Sequence, residues 1–113
     1  MQLAFGSDFP VEVVNPFWGL YAAITRQDAD GHPPGGWHPE DRLSLEDALR
    51  AHTASSAFAA FAEDRLGILK PGLRADVTVV DRDLFRASPK ELLAARVVMT
   101  IVDGGVAFEQ AMP

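Results

Sequence analysis

The residue best placed for chemistry in this 113-residue sequence is Asp8, which follows a short apolar run, residues 3–6. Glycine ends that run, as is common for a buried strand, and Pro10 closes the stretch after the aspartate. A carboxylate at the mouth of a strand is ionised at pH 7 and could accept a proton from water. It could equally make an Asx-type turn with the backbone around Phe9 and Pro10. The residues alone leave both interpretations open.

Three histidines, His32, His38 and His52, are the other candidates for metal binding. Their spacing gives no support for a metal site, because no His-x-His pair occurs and no two are four residues apart. His32 and His38 fall in a Gly/Pro-rich loop, whereas His52 falls on the apolar face of a predicted helix. We therefore interpret His52 as a packed or hydrogen-bonded core residue. The sequence has no cysteine, which excludes disulfides, thiolate ligands and a Cys nucleophile.

Composition narrows the class of protein and of partner. Sixteen acidic residues against ten basic ones give a net charge of -6, which argues against a nucleic-acid partner. No apolar run approaches the roughly 18 residues that a membrane span requires, and no signal sequence is recognisable. We expect a soluble, cytoplasmic protein that contacts neither nucleic acid nor membrane.

Helical patterns dominate residues 1–67. Asn15 followed by Pro16 predicts the start of a helix that ends near Arg26, and Ser44 predicts the cap of a second helix. A third helical stretch is predicted over residues 55–67, with a glycine as its stop.

Three aromatic side chains in this region carry expectations of their own. Phe58 and Phe61 are interpreted as core residues of the third helical stretch. Trp37 lies in the Gly/Pro-rich loop of residues 27–42.

Beyond residue 67 the hydrophobic pattern changes from the period of a helix to that of β-strands. The β-branched run at residues 77–80 predicts a strand, and Ser88 with Glu91 predicts a capping box for a short helix. Two further strands are predicted around Asp103-Gly104-Gly105, which is a strong hairpin signal. We therefore predict a boundary between residues 67 and 68.

An ordered series of segments then gives a family resemblance: FGSDFPV, GLYAAITR, GGWHPEDRLSLEDALRAHT, LGILKPGLRADVTVVDRDLF and TIVDGGVAFE. Together they resemble the C-terminal end of metal-dependent amidohydrolases, particularly the branch called amidohydrolase family 3 or YtcJ-like. The resemblance implies an α/β fold in which residues 1–67 supply the last strand and helices of a (β/α)₈ barrel. Residues 68–113 would then supply strands of a small composite β-sandwich. In the intact enzyme that the resemblance implies, Trp37 would either cover the substrate or pack under the barrel.

The resemblance also assigns a role to Asp8. It implies that Asp8 contacts the catalytic divalent metal, with zinc as the expected ion, and acts as general base toward a bound water. The histidine ligands of the family would lie upstream of Met1. One carboxylate cannot hold a zinc ion that requires about four ligands, so we expect this chain alone to bind no metal tightly and to hydrolyse nothing.

Three hypotheses follow for function and partners. The first is a fragment of a hydrolase of non-peptide C–N bonds that acts on a small amide-type substrate. The second is a non-catalytic structural module that associates with itself as a homo-oligomer, since an orphan strand exposes unpaired edges. The third is one subunit of a split enzyme whose partner is the missing N-terminal part of the barrel.

Overall fold

The structure, a computed structural model, describes residues 2–111, which form short helices and one small sheet. The helices are α1 (Pro16–Thr25), α2 (Leu45–His52), α3 (Ala54–Ala59) and α4 (Pro89–Leu93), with a 3₁₀ turn at Pro39–Asp41. The strands are β1 (Val77–Val80), β2 (Val97–Val102) and β3 (Gly105–Glu109). They form an antiparallel sheet in the order β1-β2-β3. Among the described residues, no helix is long and apolar enough to cross a bilayer.

The predicted helix starts are confirmed by their caps. The Asn15 side chain accepts a hydrogen bond from the backbone of the second residue of α1 at 3.0 Å. Ser44 accepts from the Asp47 N–H at 3.0 Å at the start of α2. At α4, Ser88 and Glu91 form the reciprocal capping box. Each cap satisfies amide groups that the first helical turn leaves unpaired, which is why such local signals predict helix starts.

The core lies between α1, α2 and α4. Its buried members are Phe17, Leu20, Tyr21, Ala48, Leu92 and Ala95. The first three come from one face of α1, as the helical spacing predicted. Because Leu92 and Ala95 come from beyond residue 67, the two predicted regions share this core. The boundary at residue 67 itself stays a prediction.

The predicted strand at residues 3–6 is not formed among residues 2–111, and its place in a larger sheet stays a prediction. No strand lies beside this segment, so it has no ladder partner. Its backbone bonds to the helices instead: the Phe5 N–H donates to the Ala51 carbonyl at 2.9 Å, and the Ser56 hydroxyl donates to the Phe5 carbonyl at 3.0 Å. An apolar run therefore becomes a strand only where a neighbouring strand pairs with it.

The predicted third helix is also too long. Helix α3 ends at Ala59 because Phe61 adopts a left-handed conformation, with φ 54°. The Ala62 N–H donates to the Ala57 carbonyl at 2.9 Å, and the Phe61 N–H donates to the Phe58 carbonyl at 3.0 Å. These two bonds are those of a Schellman motif, which closes a helix C-terminus.

Two expectations attached to that longer helix fail with it. Phe58 and Phe61 are 50% and 87% exposed, so neither is a core residue within the described chain. Gly67 does not stop the helix; it lies where an added Cβ would come within 2.6 Å of the Ala57 Cβ. Its lack of a side chain allows the returning chain to pack against α3.

The predicted hairpin is confirmed. Asp103 and Gly104 both have positive φ, 51° and 81°, between the paired residues Val102 and Gly105. This is the geometry of a two-residue type I′ turn, whose twist matches that of the flanking strands. The Asp76 carboxylate accepts from the Asp103 N–H at 2.7 Å and ties the turn to the start of β1.

Candidate functional site

Asp8 lies in a tight turn between residues 3–6 and α1. Its backbone is left-handed, with φ 52°, and its carbonyl accepts a hydrogen bond from the Val11 N–H at 2.9 Å. Asp is one of the few residues that tolerate this conformation. The backbone carbonyl, not the side chain, therefore closes the turn.

The Asp8 side chain is exposed. Within residues 2–111 its carboxylate makes no hydrogen bond or ion pair, so the Asx-type turn is not formed. Phe9 and Val11, which follow in the same turn, are 67% and 75% exposed. The turn thus places a carboxylate that has no partner among residues 2–111 beside large, exposed apolar side chains.

A cavity of about 440 Å³ lies next to this turn, between residues 5–7 and α1. Phe5, Trp18 and Tyr21 give it aromatic walls, and Ser7 and Glu12 place polar groups at its margin. Its volume is within the range of small-molecule sites. Asp8 is not among its lining residues, so this structure does not bring the proposed base and the cavity together.

His52 also lines the cavity, from the C-terminal end of α2. Its ring packs edge-on against Phe5, with ring centroids 5.5 Å apart. Its Nε2 is buried and has no hydrogen-bond partner among the described residues. Burial disfavours the imidazolium and lowers the pKa of His52. His52 is thus the packed residue that the sequence predicted, although Nε2 is unpaired.

The Gly/Pro-rich loop of residues 27–42 is ordered by hydrogen bonds to α1. The Trp37 N–H donates to the Arg26 carbonyl at 2.8 Å, and the Arg26 Nε–H donates back to the Trp37 carbonyl at 3.0 Å. The Arg26 guanidinium also lies 5.1 Å from the centre of the Trp37 ring. Trp37 remains 62% exposed, so neither of its two predicted roles is decided by this chain.

The two loop histidines have different surroundings. The Asp28 carboxylate accepts the His32 backbone N–H at 2.9 Å, and this bond is the main cause that lowers the pKa of Asp28. His38 Nδ1 lies 3.0 Å from the Glu40 carboxylate.

One group of three ligand-type side chains exists among residues 2–111. His38, Glu40 and Asp41 place one ligand atom each within 4.8 Å of one another, and all three are exposed. The sequence reasoning missed this grouping because it sought pairs with helical or His-x-His spacing. The available signal was the HPED segment, in which a 3₁₀ turn brings residues i, i+2 and i+3 together.

The described residues do not form a catalytic metal site around Asp8. Asp8 does not belong to the one group of three ligands in this part of the chain. A catalytic zinc uses three protein ligands and keeps a position for water. A metal at Asp8 would therefore need ligands other than residues 2–111.

Comparison with known proteins gives the family context for this geometry. A family model described as "Amidohydrolase family" matches residues 1–108. The "Protein LONG AFTER FAR-RED 3" of Arabidopsis thaliana is 38% identical over 105 residues, covering 90% of this chain and 17% of that protein. The "Putative amidohydrolase YtcJ" of Bacillus subtilis is 28% identical over 108 residues, covering 96% of this chain and 20% of that protein.

Two further relatives agree. The "N-substituted formamide deformylase" of Arthrobacter pascens is 28% identical over 110 residues, covering 97% of this chain and 20% of that protein. The crystal structure of an amidohydrolase from Thermotoga maritima superposes with a TM-score of 0.50 at 28% identity, covering 60% of this chain and 16% of that one. This chain therefore spans no more than about a fifth of the curated relatives. Its sequence match over nearly its whole length confirms the resemblance: the chain belongs to the amidohydrolase family.

Proposed function

We propose that this chain is the C-terminal region of a metal-dependent hydrolase that cleaves non-peptide C–N bonds in small amide-type molecules. The observation that carries the proposal is the family match over residues 1–108 together with the exposed, unpaired carboxylate of Asp8. Relatives named as an amidohydrolase and as a formamide deformylase support the bond type.

In this proposal Asp8 is the general base. Its carboxylate accepts a proton from the attacking water and returns it to the leaving nitrogen, so that the C–N bond breaks without releasing an amide anion. The short side chain suits this task, since the turn at Asp8 fixes its backbone. Phe9 and Val11 would border the reacting group and limit its contact with bulk water.

The proposal includes a divalent metal, with zinc as the expected ion, that Asp8 contacts together with ligands outside residues 2–111. Such an ion lowers the pKa of bound water from about 15.7 toward about 7. The complete fold would be a (β/α)₈ barrel with a composite β-sandwich, and residues 3–6 would pair as its last strand. The expected location of that enzyme is the cytoplasm.

A chimera tests the proposed function. The matching fifth of the Arthrobacter formamide deformylase is replaced by residues 1–110 of this chain, and release of amine from an N-alkylformamide is measured with zinc present. We expect amine release from the chimera. Asp8→Asn should lower kcat by about 100- to 10,000-fold, the usual contribution of a general base.

Asp30→Asn is the matched control, because Asp30 is also an exposed carboxylate in a loop next to α1. It should leave kcat unchanged. Equal rates for the Asp8→Asn and Asp30→Asn chimeras would contradict the role of Asp8. A folded, zinc-loaded chimera that releases no amine from any N-substituted formamide or simple amide would contradict the reaction class.

A further inference from the structure

The cavity beside residues 5–7 is built by residues of this chain on three sides. It lies between residues 5–7, α1 and the end of α2, and has a volume of about 440 Å³. Asp8, the proposed general base, does not line it. The kind of molecule that fits this cavity therefore follows from the chemistry of its own walls.

The walls favour an apolar group and tolerate a positive charge. Phe5, Trp18 and Tyr21 contribute three aromatic rings to the lining. Aromatic rings pack well against apolar groups, and their faces carry partial negative charge that attracts cations. An apolar molecule that carries a cationic group satisfies both properties.

The carboxylates that line the cavity have no basic counterpart in its walls. Glu12 is exposed and makes no hydrogen bond or ion pair within residues 2–111. Asp28 accepts the His32 backbone N–H at 2.9 Å, and this bond lowers the pKa of Asp28 and keeps it ionised. No lysine or arginine among residues 2–111 lines the cavity. The lining therefore carries negative charge that a bound cation would balance.

His52 adds an unpaired hydrogen-bonding atom to the same cavity. Its Nε2 is buried without a partner in the described chain. This atom faces α1 at Gly19, where an added Cβ would lie 3.5 Å from it. Because burial disfavours the imidazolium, the ring is neutral and Nε2 accepts a hydrogen bond when Nδ1 carries the proton. A ligand N–H would satisfy this acceptor.

We propose that the cavity binds a small organic ammonium ion with an apolar substituent, such as a protonated aralkyl amine. The ammonium group donates a hydrogen bond to His52 Nε2 and is attracted by Glu12 and Asp28, while the substituent packs against Phe5 and Trp18. A neutral analogue of the same shape keeps the packing but loses the charge attraction. This binding does not depend on the proposed hydrolase activity, so each can fail without the other.

Titration of the 113-residue chain with benzylammonium chloride tests the proposal. Trp37→Phe leaves Trp18 as the only tryptophan, so its fluorescence reports on the cavity. We expect a saturable change with a dissociation constant on the order of 1 mM, as suits a ligand of few atoms. At matched ionic strength, benzyl alcohol should bind about 5-fold more weakly and benzoate should not bind.

Gly19→Ala, made in the same Trp37→Phe background, tests the role of His52 Nε2. The added methyl group would lie in ordinary contact with Nε2 and cover it, whereas alanine is favourable inside a helix. We therefore expect binding about 10-fold weaker, with a melting temperature that is unchanged or higher. If Gly19→Ala alters the circular dichroism spectrum, His52→Leu replaces it and should weaken binding to the same extent.

Glu12→Gln tests the contribution of charge and should weaken binding about 3- to 5-fold. Glu63→Gln is the matched control, because Glu63 is also an exposed glutamate without an ion pair in the described chain and does not line the cavity. It should leave the affinity unchanged.

Four results would overturn the proposal. The first is the absence of a saturable change up to about 10 mM benzylammonium, ten times the expected dissociation constant. The second is binding of benzyl alcohol as tight as that of benzylammonium. The third is unchanged affinity in the variant that removes or covers His52 Nε2, and the fourth is equal weakening by the Glu12 and Glu63 variants.

Discussion

Replacing Gly36 with alanine tests whether the loop of residues 27–42 is held in one conformation by its contacts with the end of α1. Gly36 has φ 86°, and an added Cβ would overlap the carbonyl oxygen of Thr25 at the end of α1. Gly31 in the same loop has the same φ, but nothing lies within 4 Å of its Cβ position. The two alanine variants therefore share the backbone strain and differ only in the overlap.

The expected magnitudes follow from these contacts. A left-handed alanine costs about 1–2 kcal/mol, which is the whole expected effect of Gly31→Ala. Relieving the overlap in Gly36→Ala must also move the Thr25 carbonyl, which accepts the Arg42 Nε–H at 3.2 Å, or the Trp37 N–H, which donates to Arg26 at 2.8 Å. Loss of one or two such bonds adds about 1–2 kcal/mol, so we expect about 2–4 kcal/mol in all.

Urea unfolding followed by circular dichroism measures both variants. The m-value should not change, and the midpoint should fall further for Gly36→Ala than for Gly31→Ala. Because the overlap is with backbone, no side-chain rotation can relieve it. Equal destabilisation of the two variants would contradict this expectation and show that the loop accommodates the added Cβ at no further cost.

Further predictions concern protonation, capping and metal content. Burial lowers the pKa of His52, so the imidazole is protonated at a higher pH in the unfolded chain than in the folded chain. The free energy of unfolding should therefore fall as the pH decreases below about 6.5. His52→Leu should remove this loss of stability, so that the melting temperature falls less between about pH 7 and pH 5. An unchanged pH dependence of the melting temperature would contradict this role of His52. Ser88→Ala should cost about 1 kcal/mol in urea unfolding through loss of the α4 cap, whereas no measurable loss would show that the cap is dispensable. Elemental analysis of the dialysed 113-residue chain should find far less than one zinc per chain, and a stoichiometric ion would contradict that expectation.

Helix caps and the hairpin turn, which depend on short-range interactions, were predicted correctly from the sequence. The caps at Asn15, Ser44 and Ser88 and the Asp103-Gly104 turn depend on residues no more than three or four positions apart. Such interactions form within one helical turn or one hairpin, so they need no knowledge of the rest of the fold.

Strand pairing and side-chain burial, which depend on residues distant in the sequence, were predicted less accurately. Residues 3–6 are apolar enough for a strand, but pairing requires a neighbour that residues 2–111 do not provide. Phe58 and Phe61 have core-like spacing, yet a Schellman motif ends the helix between them and nothing described covers either ring. Apolar spacing predicts which side chains favour burial, but the fold determines which of them are buried.

The candidate site was predicted only in part. The Asp8 carboxylate makes no hydrogen bond or ion pair among residues 2–111, and its role as a base stays a prediction because these residues bring no other metal ligand to it. The cavity lined by His52 had no signal in the sequence, since residues 5–7, α1 and α2 meet there only after folding.

The position of zinc in a crystal of the Asp8-containing chimera tests directly whether Asp8 is a metal ligand. Anomalous scattering locates the ion without reference to activity. We expect an Asp8 carboxylate oxygen at about 2.0–2.2 Å from the zinc, the usual distance for such a ligand. A fully occupied zinc bound by other side chains, with the Asp8 carboxylate pointing away into solvent, would contradict it.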